Sequence, residues 1–376
     1  MRITDLETPR LLLDLDRLER NTAAMRAHCR SKSVALRPHV KTAKSLDVTL
    51  LATGGEPLGI TVSTLKEADY FARAGYGDIL YAVGIVPRKL AHAARIVRET
   101  GVDLVLVTDA LSVALAAGEF AAREGLRLSF VVEIDSGEHR SGLLPDAPAM
   151  IELARAIHQH PRLALRGVMT HAGHSYATDD PAGIRKVARL ECEAARAAAE
   201  KLRGAGMPCD IVSVGSTPTV LLAESFDGIT EVRCGIYMFW DLSQLSRKVC
   251  KESDLAASVL ASVIGHNRTA GALILDAGAL ALSKDLGANA FMPGTGYGLL
   301  CDPFTMERLG DLAVTIVHQE HGTVPVKDEA WYERLPVGSL VRVLPNHACI
   351  TCAAYDSYDV VRGGEVIGSW SRINGW

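Results

Sequence analysis

Two regimes of hydrophobic patterning divide the chain. Before residue 246, short apolar runs alternate with longer amphipathic stretches rich in Ala, Arg and Glu. The runs Val34–Val40, Leu58–Val62, Asp78–Val83, Asp103–Val107, Leu128–Ile134, Leu165–Thr170, Asp210–Val214 and Thr230–Arg233 predict eight strands. Between them, as in Thr64–Ala74 and Arg88–Thr100, apolar residues recur at three- and four-residue steps, which predicts helices. The longest helix, Pro181–Arg203, is stopped by Gly204, Gly206 and Pro208. Strand–helix alternation argues a parallel sheet. Eight such units match a closed (β/α)8 TIM-type barrel better than an open doubly wound sheet, with a six-stranded open sheet as the alternative.

Past residue 246 the pattern changes. Val259–Ile264, Leu273–Leu275, Val314–Val317, Gly338–Leu344 and Val360–Ile367 read as strands separated by Gly, Pro and Asn turns, and only Asp302–Leu309 looks helical. The chain therefore reads as α/β, with an N-terminal barrel over residues 11–245 and a C-terminal antiparallel β domain over 246–376 together with 1–10. The opening strand Arg10–Asp14 precedes the barrel and is open to pairing with the β domain instead.

Composition narrows the function. A length of 376 residues fits two or three domains of roughly 150 residues. With 48% apolar and 22% charged residues the chain is not a disordered one. A net charge of −4 with interspersed signs leaves no basic stripe for nucleic acid. Runs such as Leu104–Val107 and Val113–Ala117 are far short of a membrane span of ~20 residues. Met1–Arg10 has no signal-peptide core, and eight cysteines are too dilute for a disulfide framework. The expectation is a soluble, reduced, cytoplasmic protein.

In a barrel, chemistry lies at the C-terminal strand ends. Those ends read His39-Val40-Lys41, Asp135 to Arg140, Thr170-His171, Gly215-Ser216-Thr217 and Arg233-Cys234-Gly235. Singly, each is equally a helix cap or a solvated residue. Together they offer an amine, two guanidiniums, an imidazole and a turn able to cradle phosphate through N–H groups and hydroxyls. A lysine desolvated among cations is suited to Schiff-base chemistry. Pyridoxal phosphate fits these parts, and phosphate-sugar chemistry is the alternative. His171 is better placed on the barrel rim as a ring-stacking partner than in a metal pair with His174.

A second cluster is Pro345-Asn346-His347-Ala348-Cys349. On a strand, residues two apart share a face, so His347 and Cys349 would reach one metal, and an N,S pair suits Zn²⁺. The competing reading is a His and a Cys packed in a β core. Cys352 is read as core, and His318 and His321 are further imidazoles in this region.

These residues carry a resemblance. Leu36 to Ser45 (LRPHVKTAKS) closely resembles the cofactor-lysine segment of the D-serine dehydratase and D-threonine aldolase family. These are fold-type III pyridoxal-phosphate enzymes related to alanine racemase. The likeness continues through Thr8-Pro9, Asp14 to Asp16, Glu133 to Asp135, His139 to Gly142 (HRSG), Thr170 to Tyr176 (THAGHSY), Val214 to Thr219 (VGSTPT) and Glu231 to Arg233. It ends with Gln319 to Gly322 (QEHG) and Pro345 to Cys349 (PNHAC), so it covers nearly the whole chain.

The resemblance implies that Lys41 is the Schiff-base lysine and general base, that His171 stacks on the pyridine ring, and that Arg140 lies near the ring hydroxyl. Ser216, Thr217, Gly235 and Ile236 would hold the phosphate, and either Arg233 or Tyr176 the pyridine nitrogen. His347 and Cys349 resemble the zinc ligands of D-serine dehydratase, with Mn²⁺ or another divalent ion as alternatives. Aldolases of the family typically carry His-x-Asp there, so Cys349 points to dehydration. Ala43, where many relatives have His, departs from the pattern and bears on substrate choice.

The implied reaction is dehydration of a D-3-hydroxy amino acid such as D-serine, D-threonine or D-threo-3-hydroxyaspartate, giving a 2-oxo acid and ammonia, by a homodimer. The first alternative is a metal-dependent aldolase giving glycine and an aldehyde. A racemase using Tyr297 would leave the metal pair without a role, and non-catalytic pyridoxal-phosphate carriers lack a second β domain.

Overall fold

The strand β1 (Arg10–Asp14) opens the chain, and all eight strands expected in the first regime then follow. They are β2 (Ala35–Leu36), β3 (Ile60–Val62), β4 (Asp78–Gly84), β5 (Asp103–Thr108), β6 (Leu128–Ile134), β7 (Leu163–Thr170), β8 (Ile211–Val214) and β9 (Glu231–Val232). The computed structural model describes residues 1–376, and it divides into two compact units. One is Ala23–Gly235 with Gly375–Trp376; the other is Met1–Thr22 with Ile236–Asn374.

In the first unit the strands run in the order β2-β9-β8-β7-β6-β5-β4-β3, all parallel. A parallel bridge between His39 and Thr61 joins the two ends: Thr61 N–H donates to Pro38 O and Val40 N–H to Thr61 O, both at 2.9 Å. The sheet is thus a closed barrel, and the open six-stranded alternative falls away. Leu80, Val105, Val107, Val131, Met169 and Ile211 share its packed interior face.

The helices form where the sequence supplies both a cap and an apolar stripe. Thr64 accepts Glu67 N–H at 3.0 Å at the start of Leu65–Arg73, which buries Leu65, Ala68, Phe71 and Ala72. Asp180 accepts the N–H groups of Ala182 and Gly183 at 3.0 Å, ahead of Pro181–Gly204. Proline suits that first turn because its missing N–H would have no partner there.

The second unit is built on β10 (Ala257–Asn267), β11 (Ala272–Leu275), β12 (Gly298–Cys301), β13 (Arg308–Ala313), β14 (Ile316–Val317), β15 (Gly322–Pro325), β16 (Leu340–Pro345), β17 (Ser357–Arg362) and β18 (Glu365–Ser371). Its main path is β13-β12-β16-β10-β1-β17-β18, with β11, β15 and β14 branching from β10. Strand β1 lies antiparallel to β10 and parallel to β17. Residues 11–22 and 236–245, read above with the barrel, belong to this unit. Besides the pairing of β1, Asn21 Nδ2 donates to Met238 O at 3.1 Å and Asp254 O at 2.7 Å.

Two local expectations fail here. Val360–Ile367 is a hairpin, because Gly363 and Gly364 take φ of +56° and +82° and reverse the chain between β17 and β18. Asp302–Leu309 is not a helix: Asp302 Oδ1 accepts the N–H groups of Phe304 and Thr305, both at 2.8 Å, in a turn that leads into β13 at Arg308. The helices of this unit are instead short ones such as Ala279–Leu282, Ala330–Arg334 and Ala348–Cys352. No helix of the chain is long and apolar enough to cross a membrane.

Closure of the barrel depends on a close approach of β7 to β8. Gly167 has φ of +143°, and a Cβ there would overlap the carbonyl oxygen of Ile211, its neighbour in register. Gly167→Ala should therefore lower stability by about 3 kcal/mol or more in urea unfolding. Gly204→Ala, at a helix end with open space around it, should leave the midpoint unchanged or slightly raised.

Candidate active site

The loops that follow the barrel strands bring four cationic or ionisable groups to one mouth. After β2, His39 N–H donates to Cys234 O at 2.8 Å, and the chain turns so that Lys41 is exposed. Burial first, then the charges of Lys41 and Arg233, hold the His39 imidazole well below its ordinary pKa. His171, just past β7, is lowered to about 3 by burial, which Lys41, Arg233 and Arg140 reinforce against the opposing bond to Gly215. That bond runs from His171 Nδ1 to Gly215 O at 2.8 Å. A carbonyl only accepts, so Nδ1 carries the proton and Nε2 is left with its lone pair.

Arg233 is buried at the end of β9, and its terminal nitrogens donate to Ser213 Oγ at 2.6 Å and Thr170 O at 2.5 Å. Burial works against its charge, while Glu231, Glu191 and Glu133 offset that cost. Behind it, Ser213 Oγ donates to Glu231 at 2.6 Å, and Glu231 accepts Arg37 Nε at 2.7 Å. Arg37 in turn makes a two-pronged pair with Asp78 at 2.9 and 2.8 Å.

Beyond β8, Ser216 caps the short helix Thr217–Leu222 through a reciprocal pair with Thr219. Thr217 Oγ1 is buried and has no hydrogen-bond partner. Gly215 takes φ of +127°, and a Cβ on it would sit 2.7 Å from Arg233 O. Gly235 is equally tight: a Cβ would overlap His39 O, so β9 and the lysine loop approach backbone to backbone. Ile236, next in the chain, is buried.

The expected residues do not all converge equally. Tyr176 is half-buried in the single turn Gly173–Ala177, where Ser175 Oγ lies 2.8 Å from Ser216 Oγ. Arg140 lies exposed in the loop after β6, 3.6 Å from Glu138. Two carboxylates that the sequence reading did not single out prove central. Glu191, on the long helix, accepts the N–H groups of Ala172 and Gly215 at 2.9 Å each. Asp285, in the other unit, is described next.

In the β unit, the expectation that His347 and Cys349 share one strand face fails. Strand β16 ends at Pro345, and His347 is the N-cap of the helix Ala348–Cys352, so Cys349 lies in its first turn. Asn346 ends the strand by accepting Ala288 N–H at 3.0 Å and donating to Gly296 O at 2.7 Å, while Asp241 accepts Ala348 N–H at 3.0 Å. The two side chains still meet. Burial opposes charge on His347, but hydrogen bonds to Asp285 and Cys349 raise its pKa to about 11. Asp285 Oδ2 lies 3.0 Å from His347 Nδ1, and Oδ1 accepts Gly287 N–H at 2.6 Å.

No group of three or more His, Cys, Asp or Glu side chains is arranged as a metal site, so His347 and Cys349 stand as a pair. Cys352 is fully buried, as expected of a core residue. His318 and His321 are exposed at the turn of the β14–β15 hairpin.

Comparison with known proteins gives matches along almost all of the chain. Residues 13–243 match the alanine racemase N-terminal domain family, and residues 256–361 match the serine dehydratase domain family. The chain is 42% identical to D-threo-3-hydroxyaspartate dehydratase of Delftia sp. (strain HT23), over 99% of this chain and 98% of that protein. It is 31% identical to 3-hydroxy-D-aspartate aldolase of Paracoccus denitrificans, over 98% and 92%. A solved structure of the Delftia dehydratase has a TM-score of 0.96 at 41% identity, with all of both chains covered. A cysteine-to-alanine mutant of it, solved in the metal-free form, overlaps equally well.

The neutral state of His171 has a measurable consequence. Its folded pKa of about 3 lies below the ordinary 6.5, so on acidification the unfolded chain takes up a proton that the folded one refuses. The contribution is intact above pH 6.5 and is lost as the pH falls toward 3. Between about pH 7.5 and about pH 5.5 the wild type should lose about 1.4 kcal/mol relative to His171→Gln, read from urea unfolding of both proteins. Equal pH dependence in the two would show that His171 is not held neutral.

Proposed function

Because the chain belongs to the family that joins an alanine racemase-type N-terminal domain to a serine dehydratase domain, we propose that it is a pyridoxal-phosphate- and metal-dependent lyase. The reaction is dehydration of a D-3-hydroxy amino acid to a 2-oxo acid and ammonia, with a 3-hydroxyaspartate-type substrate favoured. One observation carries this reading: end-to-end identity of 42% with D-threo-3-hydroxyaspartate dehydratase, in a chain that sets Lys41 beside His39, His171 and Arg233.

The residues present fit the cofactor. A phosphate would satisfy the orphaned Thr217 hydroxyl, with Ser216, Gly235 and Ile236 completing the cradle. In this reading Lys41 carries the cofactor and, once freed, its Nζ takes the α-proton. The neutral ring of His171 would stack on the cofactor ring without adding positive charge. Arg140 serves the ring oxygen. Either Arg233, whose terminal nitrogens also donate to Ser213 and Thr170, or Tyr176 would meet the pyridine nitrogen. Pyridoxal phosphate, when bound, supplies the electron sink at the α-carbon.

His347 and Cys349 would hold the metal. Their imidazole and thiolate suit Zn²⁺ over Mg²⁺, and Mn²⁺ or another divalent ion is a lesser fit. Asp285 Oδ2 accepts a hydrogen bond from His347 Nδ1–H, which would leave Nε2 for the ion, the usual arrangement behind a ligating histidine. An ion with only two protein ligands keeps positions open and supplies Lewis-acid help to a departing hydroxyl. The second reading, an aldolase, draws on the 31% relative and gives glycine and an aldehyde instead. The barrel would carry the cofactor and the β unit the metal, in a cytoplasmic homodimer, a state that light scattering checks.

Incubation with D-threo-3-hydroxyaspartate should yield oxo acid and ammonia in equal amounts; glycine with an aldehyde would establish the aldolase. Lys41→Ala should lose both turnover and the covalent pyridoxyl adduct, and an adduct mapped to another lysine by mass spectrometry would remove this assignment. Chelation or Cys349→Ala should cut dehydration roughly a thousandfold or more while the visible cofactor band survives. Full activity in chelator, with no bound metal, would return the pair to a packing role.

A further inference from the structure

Glu191 is the one charged residue among the eight buried positions of the helix Pro181–Gly204; the others are Ala, Cys, Ile and Leu. A carboxylate is costly to bury and would be replaced by an apolar residue if packing were its purpose. Its Oε1 accepts two backbone N–H groups, those of Ala172 and Gly215, at 2.9 Å each. Ala172 follows His171 in the chain, and Gly215 opens the turn that carries Ser216 and Thr217. The carbonyl of the same Gly215 accepts His171 Nδ1–H at 2.8 Å. One residue is thus clamped at both its backbone polar groups, by the carboxylate at its N–H and by the imidazole at its C=O.

The clamp sits where the sheet gives out. The β7–β8 pairing ends at Met169 and Ser213, so the loops beyond are no longer held by the ladder. What joins them is Glu191, the His171–Gly215 bond and the contact of Ser175 with Ser216. Burial raises the pKa of Glu191, and its hydrogen bonds with Thr219, Gly215 and Ala172 work against that rise. We propose that Glu191 is a positioning residue that holds His171 and the phosphate turn in one register, so that the ring and the phosphate of pyridoxal phosphate are seated together. This rests on the cofactor reading of the site given above.

The test uses the full-length protein, with pyridoxal phosphate titrated into apoprotein and followed by its visible band. Melting temperature and the slowly exchanging His171 Nδ1–H signal in nitrogen-edited NMR are recorded for each variant. Glu191→Asp keeps the charge but draws the carboxylate back by one methylene; Glu191→Gln keeps an acceptor at the original reach. Glu191→Asp and Glu191→Ala should weaken pyridoxal-phosphate binding about tenfold or more and lose the His171 signal below their melting temperatures. Glu191→Gln should restore most of both. If Glu191→Ala fails to fold, the Asp and Gln variants decide. Wild-type affinity with the His171 signal intact in Glu191→Asp, whatever its melting temperature, would overturn the proposal. So would a Gln variant as weak as the Asp variant, which would point to charge rather than reach. A wild-type protein that takes up no pyridoxal phosphate would remove the cofactor reading itself, and the wild-type titration tells the two failures apart.

Discussion

Burial of ionisable groups at one end of the barrel is the constraint on which the site depends. Burial, reinforced by the charges of Lys41 and Arg233, keeps His39 and His171 neutral. Neutrality settles the tautomer of His171, because its one proton is committed to the Gly215 carbonyl. The carboxylates are placed accordingly: Glu231, Glu191 and Glu133 offset the buried Arg233 without pairing directly with Lys41. Further into the barrel, Arg37 takes up the second oxygen of Glu231 and closes the chain on Asp78.

The β unit handles the opposite problem, an imidazole surrounded by potential anions. Asp285 and Cys349 favour charge on His347, and Asp241 lies near enough to add to it. Burial pushes the Asp241 carboxyl itself up to about 6, although two backbone N–H groups stabilise its ionised form. The arrangement is suited to a cation. The abrupt change from β16 to a helix makes it possible. A continued strand would carry Cys349 along the sheet, whereas a helix turn beginning at His347 folds it back toward the imidazole.

Much of this was legible in the sequence. The eight barrel strands follow from short apolar runs at regular spacing, since a strand buried on both faces needs little beyond them. The lysine loop, the Gly-Ser-Thr turn and the His-x-Cys pair are local motifs, readable wherever they fold. Tertiary structure decided the rest. Val360–Ile367 reads as one apolar strand, but positive φ at Gly363 and Gly364 makes it two. Whether His347 sits on a strand or caps a helix is settled by Asn346 and Asp241, whose partners at residues 288, 296 and 348 are brought together by the fold. Glu191 is the sharpest case. Its signal was present: it occupies the apolar phase of a helix whose buried positions are Ile184, Ala188, Glu191, Cys192, Ala195, Ala198, Ala199 and Leu202. Helical phase is a local property, so the sequence could mark this carboxylate as buried. Which two N–H groups it meets depends on where strands β7 and β8 end, and only the closed barrel sets that.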